Sequence, residues 1–375
     1  MSAGLHVGVY PGLSPGTGLA PRRPAAYPFD QPGLALTHLG RGAVWLALRA
    51  LRLGPGSRVA MPAYHCGSEV EAARLAGVEI DFYRVDASLR VDEDDLARAA
   101  AGADAAYLIS HFGFPMPALP AGALAIEDVA HGLFSDDAAG RPLGSRGQAA
   151  IFCPRKSLGV PDGGALVVAG RQAVALEARP NAGAMARSTL SLLAARAAMA
   201  RPRPLRAAAA GLIARASRAD AAARAGSLTE TVIGEWDLRI DDLEAAAGRP
   251  SRVTERLVRR IDARWVCARR RSNYATLAAE LGELCFEPFR SLPSGTTPLY
   301  LPVLARDRGR ALGRLLDGGV RAVEIWPVPH PLLDRHRFAE LEPLRRGLLA
   351  LPVHQDLDSW HLEVVARAAK AALSA

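Results

Sequence analysis

From Arg58 to Ala169 short apolar runs recur, separated by turn clusters and, in its first half, by stretches of helical length. The runs Arg58–Tyr64, Glu79–Val85, Ala106–His111, Leu124–Asp128, Ala149–Cys153 and Ala165–Ala169 are strand-length and bounded by Gly, Pro, Asp or Ser. Ser68–Ala76 and Asp92–Ala101 intervene with helical spacing, and Ala43–Leu53 precedes them as an apolar-rich helix stopped by Gly-Pro-Gly. Strands alternating with helices need crossovers, and crossovers make neighbours parallel. The pattern therefore predicts an α/β fold with a mostly parallel sheet flanked by helices.

A length of 375 residues suggests roughly two domains. The division expected is an irregular Pro- and Gly-rich arm over 1–35, a large α/β domain over 36–250 and a smaller α+β domain over 251–375, built around Leu299–Leu304 and Val320–Trp326. Four cysteines (Cys66, Cys153, Cys267, Cys285) lack metal or disulfide spacing, which predicts a reducing, cytoplasmic setting without a metal site. No basic region leads into an apolar stretch at the N-terminus, so no signal peptide is expected. The uncharged run Ala105–Ile126 carries prolines and reads as sheet plus loop. A net charge of +8 without a reader motif or aromatic-interleaved basic patch argues against a nucleic-acid partner. An Ala/Arg-rich helical insertion is expected over about 179–225, and Arg179–Ala219 within it contains no Asp or Glu. It is either a helix packed on the protein with its arginines in solvent, or a basic surface for anionic lipid.

Of 46 basic residues all but two are arginine, and one of the two lysines, Lys156, sits in the turn-rich loop Phe152-Cys153-Pro154-Arg155-Lys156-Ser157. Arginine keeps its proton, whereas a desolvated lysine can lose it, and only a neutral amine attacks a carbonyl. Lys156 is thus either a nucleophile or a remnant of compositional bias. Asp128 ends the apolar run Ala123–Ile126, at the kind of strand tip where α/β sheets collect ligands. Its carboxylate needs a cation, which is an arginine, a helix terminus or a protonated pyridine nitrogen. A Schiff-base lysine with an acid on the pyridinium nitrogen is the arrangement that pyridoxal phosphate (PLP) demands.

With these motifs in order, the chain resembles the DegT–DnrJ–StrS family of PLP-dependent sugar aminotransferases. The resemblance rests on the Gly-Pro-Gly turn at 54–56, Met61-Pro62-Ala63-Tyr64, Ser110-His111-Phe112-Gly113, Glu127-Asp128-Val129-Ala130-His131, the lysine loop ending at Gly163-Gly164, and Leu349-Ala350-Leu351-Pro352-Val353-His354. It implies the PLP-dependent transferase fold of type I, with a seven-stranded-type, mostly parallel sheet and a smaller C-terminal α+β domain. It implies further that Lys156 holds PLP covalently and shuttles the proton, that Asp128 pairs with the ring nitrogen, and that His131 lies near the ring oxygen. The resemblance puts Gly40, Arg41 and Gly42 in the place of the phosphate-binding turn, with Arg41 either clamping the phosphate or pointing outward, and His111 either near the cofactor or capping a strand. The family's ring-stacking aromatic is missing after Tyr64, where His65 and Cys66 stand, and His65 is the candidate for stacking. Asp162 replaces a Glu, Cys153 a phosphate-binding Ser, and Asn273 lies outside any Gly-x-Asn-x-Arg segment. Glu324, Trp326 and His330 lie where the family's small domain nears substrate. The expected activity is transfer of an amino group from glutamate to a keto-sugar by a homodimer, in amino-sugar or polysaccharide biosynthesis. The alternative is a degenerate PLP-binding scaffold of glycan synthesis.

Overall fold

The computed structural model describes residues 5–13, 21, 23–172, 176–202, 204–209 and 238–374. Of the expected arm and the basic insertion, the remaining positions lie outside the described residues.

The first half builds one sheet. Its strands are β1 (Ala35–Thr37), β2 (Arg58–Pro62), β3 (Glu79–Tyr83), β4 (Ala105–Ile109), β5 (Leu124–Asp128), β6 (Ala149–Phe152) and β7 (Gly164–Val168). Among the described residues the order is β1-β7-β6-β5-β4-β2-β3. The run from β6 to β3 is parallel, while β7 pairs antiparallel with both β6 and β1. All five residues of β4 are buried, as a strand covered on both faces requires. Strands β2 to β7 lie within a residue or two of their expected limits, because apolar runs mark strand interiors better than ends, while β1 was not expected.

Helices cover the sheet. The first, α1 (Gly40–Ala50), buries Ala43 through Leu48 and starts three residues before its expected limit. Then follow α2 (Ser68–Leu75) and α3 (Glu93–Ala101), the latter capped by Asp92, which accepts from Asp95 N at 3.0 Å. Next come α4 (Pro154–Ser157), α5 (Ala182–Ala198) and α6 (Ile240–Ala247). Gly42 lets α1 touch α6: a Cβ there would lie 2.1 Å from Ala246 O. Gly42→Ala is expected to cost about 1–3 kcal/mol, since backbone cannot yield as a side chain can. The check is the denaturation midpoint, and an unchanged midpoint would refute the packing role.

C-terminal to these, α7 (Arg252–Val258) and α8 (Ala263–Leu281) lead into a second sheet of β8 (Tyr300–Leu304), β9 (Val323–Glu324) and β10 (Leu348–Pro352), antiparallel in the order β8-β10-β9. Helices α9 (Arg308–Asp317), α10 (Glu342–Gly347) and α11 (Ser359–Leu373) complete this part. A separate apolar cluster joins Tyr274, Leu277, Leu301, Leu349 and Val365. Residues 5–13, expected to be irregular, are stitched into it. Val7 N donates to Gly319 O at 2.8 Å, Arg321 N donates to Val7 O at 2.9 Å, and Leu5 and Val7 are buried in the cluster.

The basic stretch is helical over α5, and several of its arginines make contacts with the rest of the protein. Arg179 pairs with Glu255, Arg196 with Asp356 and Arg201 with Asp358, while Arg206 sits over the Trp360 ring. These contacts favour packing on the protein over a lipid-facing role for those four. Among the described residues no helix is long and apolar enough to cross a membrane, and none of their His, Cys, Asp and Glu side chains cluster as a metal site would need.

Candidate active site

Strands β5 and β6 are parallel neighbours, with Asp128 opposite Ile151, so both chains leave the sheet on the same side. Asp128 closes β5, while β6 runs into Cys153 and the short helix bearing Lys156. The N-terminus of α1 faces the same place. Between them lies a cavity of about 410 Å³, lined by Gly40, Arg41, Cys66, Glu69, Asp128, His131, Arg155, Lys156 and Trp326 among others. Its size suits a small molecule.

Asp128 is held from two sides. Tyr107 Oη donates to Oδ2 at 2.7 Å and Ala130 N donates to Oδ1 at 2.8 Å. Burial nevertheless pushes its carboxyl above the ordinary value, against those bonds and the nearby Lys156. Glu69 shares the wall and accepts from Cys66 N at 2.8 Å. Burial, with Asp128's charge adding to it, pushes Glu69 up to about 7. A cavity with such carboxyls favours a cationic occupant.

Lys156 Nζ lies 3.1 Å from His131 Nε2. The imidazole is fixed between rings: Trp326 stacks at 5.5 Å, Phe112 at 6.0 Å, and Tyr300 presents an edge at 5.6 Å. Burial, and then Lys156's charge, hold the His131 pKa well below its ordinary value, so the ring is neutral. An ammonium donating to Nε2 leaves the ring proton on Nδ1. The sequence argument asks for an amine neutralised by desolvation, and here the structure differs. Burial does work against the ammonium, but Cys153, Tyr10, Cys66 and Asp128 together hold the Lys156 pKa above its ordinary value. The amine therefore rests as an ammonium, and the neutral His131 accepts its hydrogen bond.

The fit to PLP is testable on buried groups that lack partners. Arg41 Nε and His131 Nδ1 are both buried with no hydrogen-bond partner among the described residues, and both residues line the cavity. An orphaned buried donor is costly, so each calls for an acceptor. Arg41 stands at the start of α1, whose N-cap Leu39 offers no side-chain cap, and Arg155 lies close enough to affect its charge. Two guanidiniums at an uncapped helix N-terminus match a phosphate. A carboxylate, an amine and an anion seat on one cavity suit the cofactor's three polar ends.

Other expected residues fall elsewhere. Gly42 packs on α6 and does not line the cavity. His65 is fully buried outside it, with Nδ1 2.9 Å from Pro62 O and its ring stacked on Phe82 at 5.3 Å. Burial depresses its pKa to about 3. It does not line the cavity, where Cys66, Ser68 and Glu69 form this part of the wall instead. His111 sits behind the wall against Tyr64 and Trp326, pushed down to about 4 by burial. Asp162 ties the lysine loop to its surroundings, accepting from Ser251 N and Oγ at 2.8 and 2.7 Å and contacting His38 Nδ1 at 2.9 Å. Glu324 pairs with Arg308, and His330 contacts Glu71 at 3.0 Å. Trp326 does line the cavity, at φ 47°, with its carbonyl accepting from Arg345 at 3.2 Å. Sequence reasoning missed Tyr107 and Glu69. Tyr107 had a signal: a phenol within an otherwise aliphatic strand next to Asp128's own.

Residues 33–182, which hold nearly all of this site, match the model of the DegT/DnrJ/EryC1/StrS aminotransferase family, a PLP-dependent family. No curated protein matches the chain. Among solved structures, the aminotransferase TlmJ from Streptoalloteichus hindustanus is 20% identical, with 91% of this chain and 86% of that one covered at a TM-score of 0.58. The PLP form of the putative sugar aminotransferase Spr1654 from Streptococcus pneumoniae is 14% identical, covers 97% and 93%, and gives 0.61. A family aminotransferase from Brucella abortus is 16% identical over 91% and 86%, at 0.58. At these identities the structural likeness establishes the fold: fold type I, with a large mostly parallel sheet flanked by helices.

Proposed function

We propose, from the match of residues 33–182 to the DegT/DnrJ/EryC1/StrS aminotransferase family model, that this chain is a PLP-dependent aminotransferase that moves an amino group from glutamate to the keto group of a sugar. It does so in the cytoplasm, as a homodimer, in amino-sugar or polysaccharide biosynthesis. The observation that carries the reading is the placement of Lys156, Asp128 and the Arg41 helix terminus on one cavity.

PLP, when bound, supplies an aldehyde carbon for an amine and an electron-accepting ring. The chain's own residues do the rest. His131 Nε2, 3.1 Å away, accepts a hydrogen bond from the Lys156 amine and fixes where that nitrogen sits. Once neutral, the lysine nitrogen is a group in the cavity able to lift a proton from a substrate carbon and return it elsewhere. Asp128 offers a buried carboxylate, anchored by Tyr107, to a protonated ring nitrogen. Arg41 and Arg155, with α1's N-terminus, seat the phosphate. The aromatic wall of Trp326, Phe112 and Tyr300 keeps His131 from turning.

Purified protein loaded with PLP should show a visible absorbance band that shifts on adding glutamate. A band that no amino donor shifts would sink the aminotransferase reading. Asp128→Asn keeps shape and loses charge, so it should leave cofactor bound while lowering kcat by roughly 10²–10³-fold, the scale of one lost preorganised electrostatic contact. Spectra and rates measured side by side check this, and an unchanged kcat would contradict the role.

A further inference from the structure

We infer that the N-terminal arm is part of the catalytic apparatus: the Tyr10 hydroxyl, bonded to Tyr300, is a positioning group for the Lys156–His131 pair.

The arm reaches the site through named contacts. Val7 bridges to Val320, Gly8 O lies 3.1 Å from His354 Nε2, and Gly12 N donates to Asp356 Oδ2 at 2.9 Å. Beyond Tyr10 the arm passes against the lysine loop so closely that a Cβ on Gly159 would lie 2.0 Å from Gly12 O. Tyr10 is thereby fixed on both sides. Its hydroxyl is 2.9 Å from that of Tyr300, and the two rings tilt against each other at 6.1 Å. Tyr300 in turn sets its edge on His131 at 5.6 Å, and His131 contacts Lys156 at 3.1 Å. Three contacts thus connect a residue at the start of the chain to the reactive amine.

A buried hydroxyl pair is a strong orienting device, because each partner would otherwise be left unsatisfied. Tyr300 is almost wholly buried and Tyr10 only partly, so Tyr10 anchors the pair. Without it Tyr300 loses its partner and the edge that holds His131 loses its fixed angle. The groups that face the Lys156 amine are Cys153 in its own loop, Cys66 and Glu69 at the start of α2, Asp128 and His131 after β5, and Tyr10 from the arm. Tyr10 is among those that favour the ammonium.

The chain has only two lysines, which makes the test direct. Protein prepared with lysine carbon-labelled at Cε should give two lysine signals in NMR, with Lys370, paired with Glu280 on the surface, as the internal reference. In cofactor-free protein, Tyr10→Phe should move the Lys156 signal and lower its titration midpoint by about half a pH unit or more, a scale set by the loss of one neighbouring polar group. Tyr300→Phe should move it in the same direction, with Lys370 unmoved in both. A purely structural role for the arm would lower the melting temperature and leave the Lys156 titration where it was, and that result overturns the inference. So does Tyr10→Phe protein indistinguishable from wild type. The inference rests on Lys156 being the cofactor's lysine, yet the two fail differently. Wild-type protein whose Lys156 signal does not respond to added PLP refutes that assignment, whatever Tyr10→Phe does.

Discussion

Lys156→Ala should yield a folded protein that no longer holds PLP covalently. Borohydride treatment of loaded wild type should fix the cofactor to a single peptide, the one containing Lys156, while the variant gives none. Lys370 lies on α11, half exposed and paired with Glu280 at 2.9 Å, so it offers no competing site. Turnover should fall by at least about 10²–10⁴-fold, since that much follows from losing a positioned proton-transfer group alone. Lys156→Arg should be no better, because a guanidinium keeps its proton and cannot attack an aldehyde. His131→Gln offers the complementary measurement: the amine stays but loses the imidazole that positions it, so the cofactor should load slowly and still end at Lys156. Turnover by Lys156→Ala at the wild-type rate would end the account of this cavity as a lysine-dependent site.

The pair at the heart of the cavity was legible because it is written locally. Asp128 ends an apolar strand and Lys156 follows the next one, so a parallel sheet brings them together whatever the rest does. What could not be read were choices between adjacent residues and choices made by distant contacts. His65 and Cys66 are adjacent, yet only Cys66 lines the cavity while His65 packs on Phe82. Gly42 belongs to a glycine pair that looks made for a phosphate, yet its missing Cβ is needed by Ala246, about two hundred residues along the chain. Residues 5–13 have no periodicity of their own, since their hydrogen-bond partners lie near 198, 319 and 354. The protonation of Lys156 is likewise collective: burial gives one sign and four neighbours from separate segments give the other.

Arg270 is the clearest case of a residue whose importance only the assembled fold reveals, and Arg270→Ala should be the most destabilising change discussed. In the sequence it is the middle of three arginines on a long helix, a pattern that normally means solvent. In the structure it is 1% exposed. Nε donates to Gln355 Oε1 at 2.9 Å, Nη1 to the carbonyls of Pro298 and Leu299 at 3.1 Å each, and Nη2 to Ser157 O at 2.9 Å. Burial lowers its pKa to about 10, so it remains charged at neutral pH. One planar fork therefore ties α8 to the entry of β8, to the end of β10 and to the residue after Lys156. Truncation leaves three buried carbonyls short of a donor and a cavity where the side chain was. Together these should cost on the order of 3–5 kcal/mol. Arg270→Lys should recover little, because one ammonium cannot reach three directions that a guanidinium serves at once. The loss should also extend to chemistry: with Ser157 O held by Gln355 alone, at 3.1 Å, the lysine loop loses half its anchor. Molecules of the variant that are still folded should then load PLP more slowly than wild type. Urea unfolding followed by Trp fluorescence, with PLP loading measured well below the transition, separates the two effects. A midpoint equal to wild type would show that water or neighbouring groups replace all four bonds, and the anchoring role would have to be abandoned.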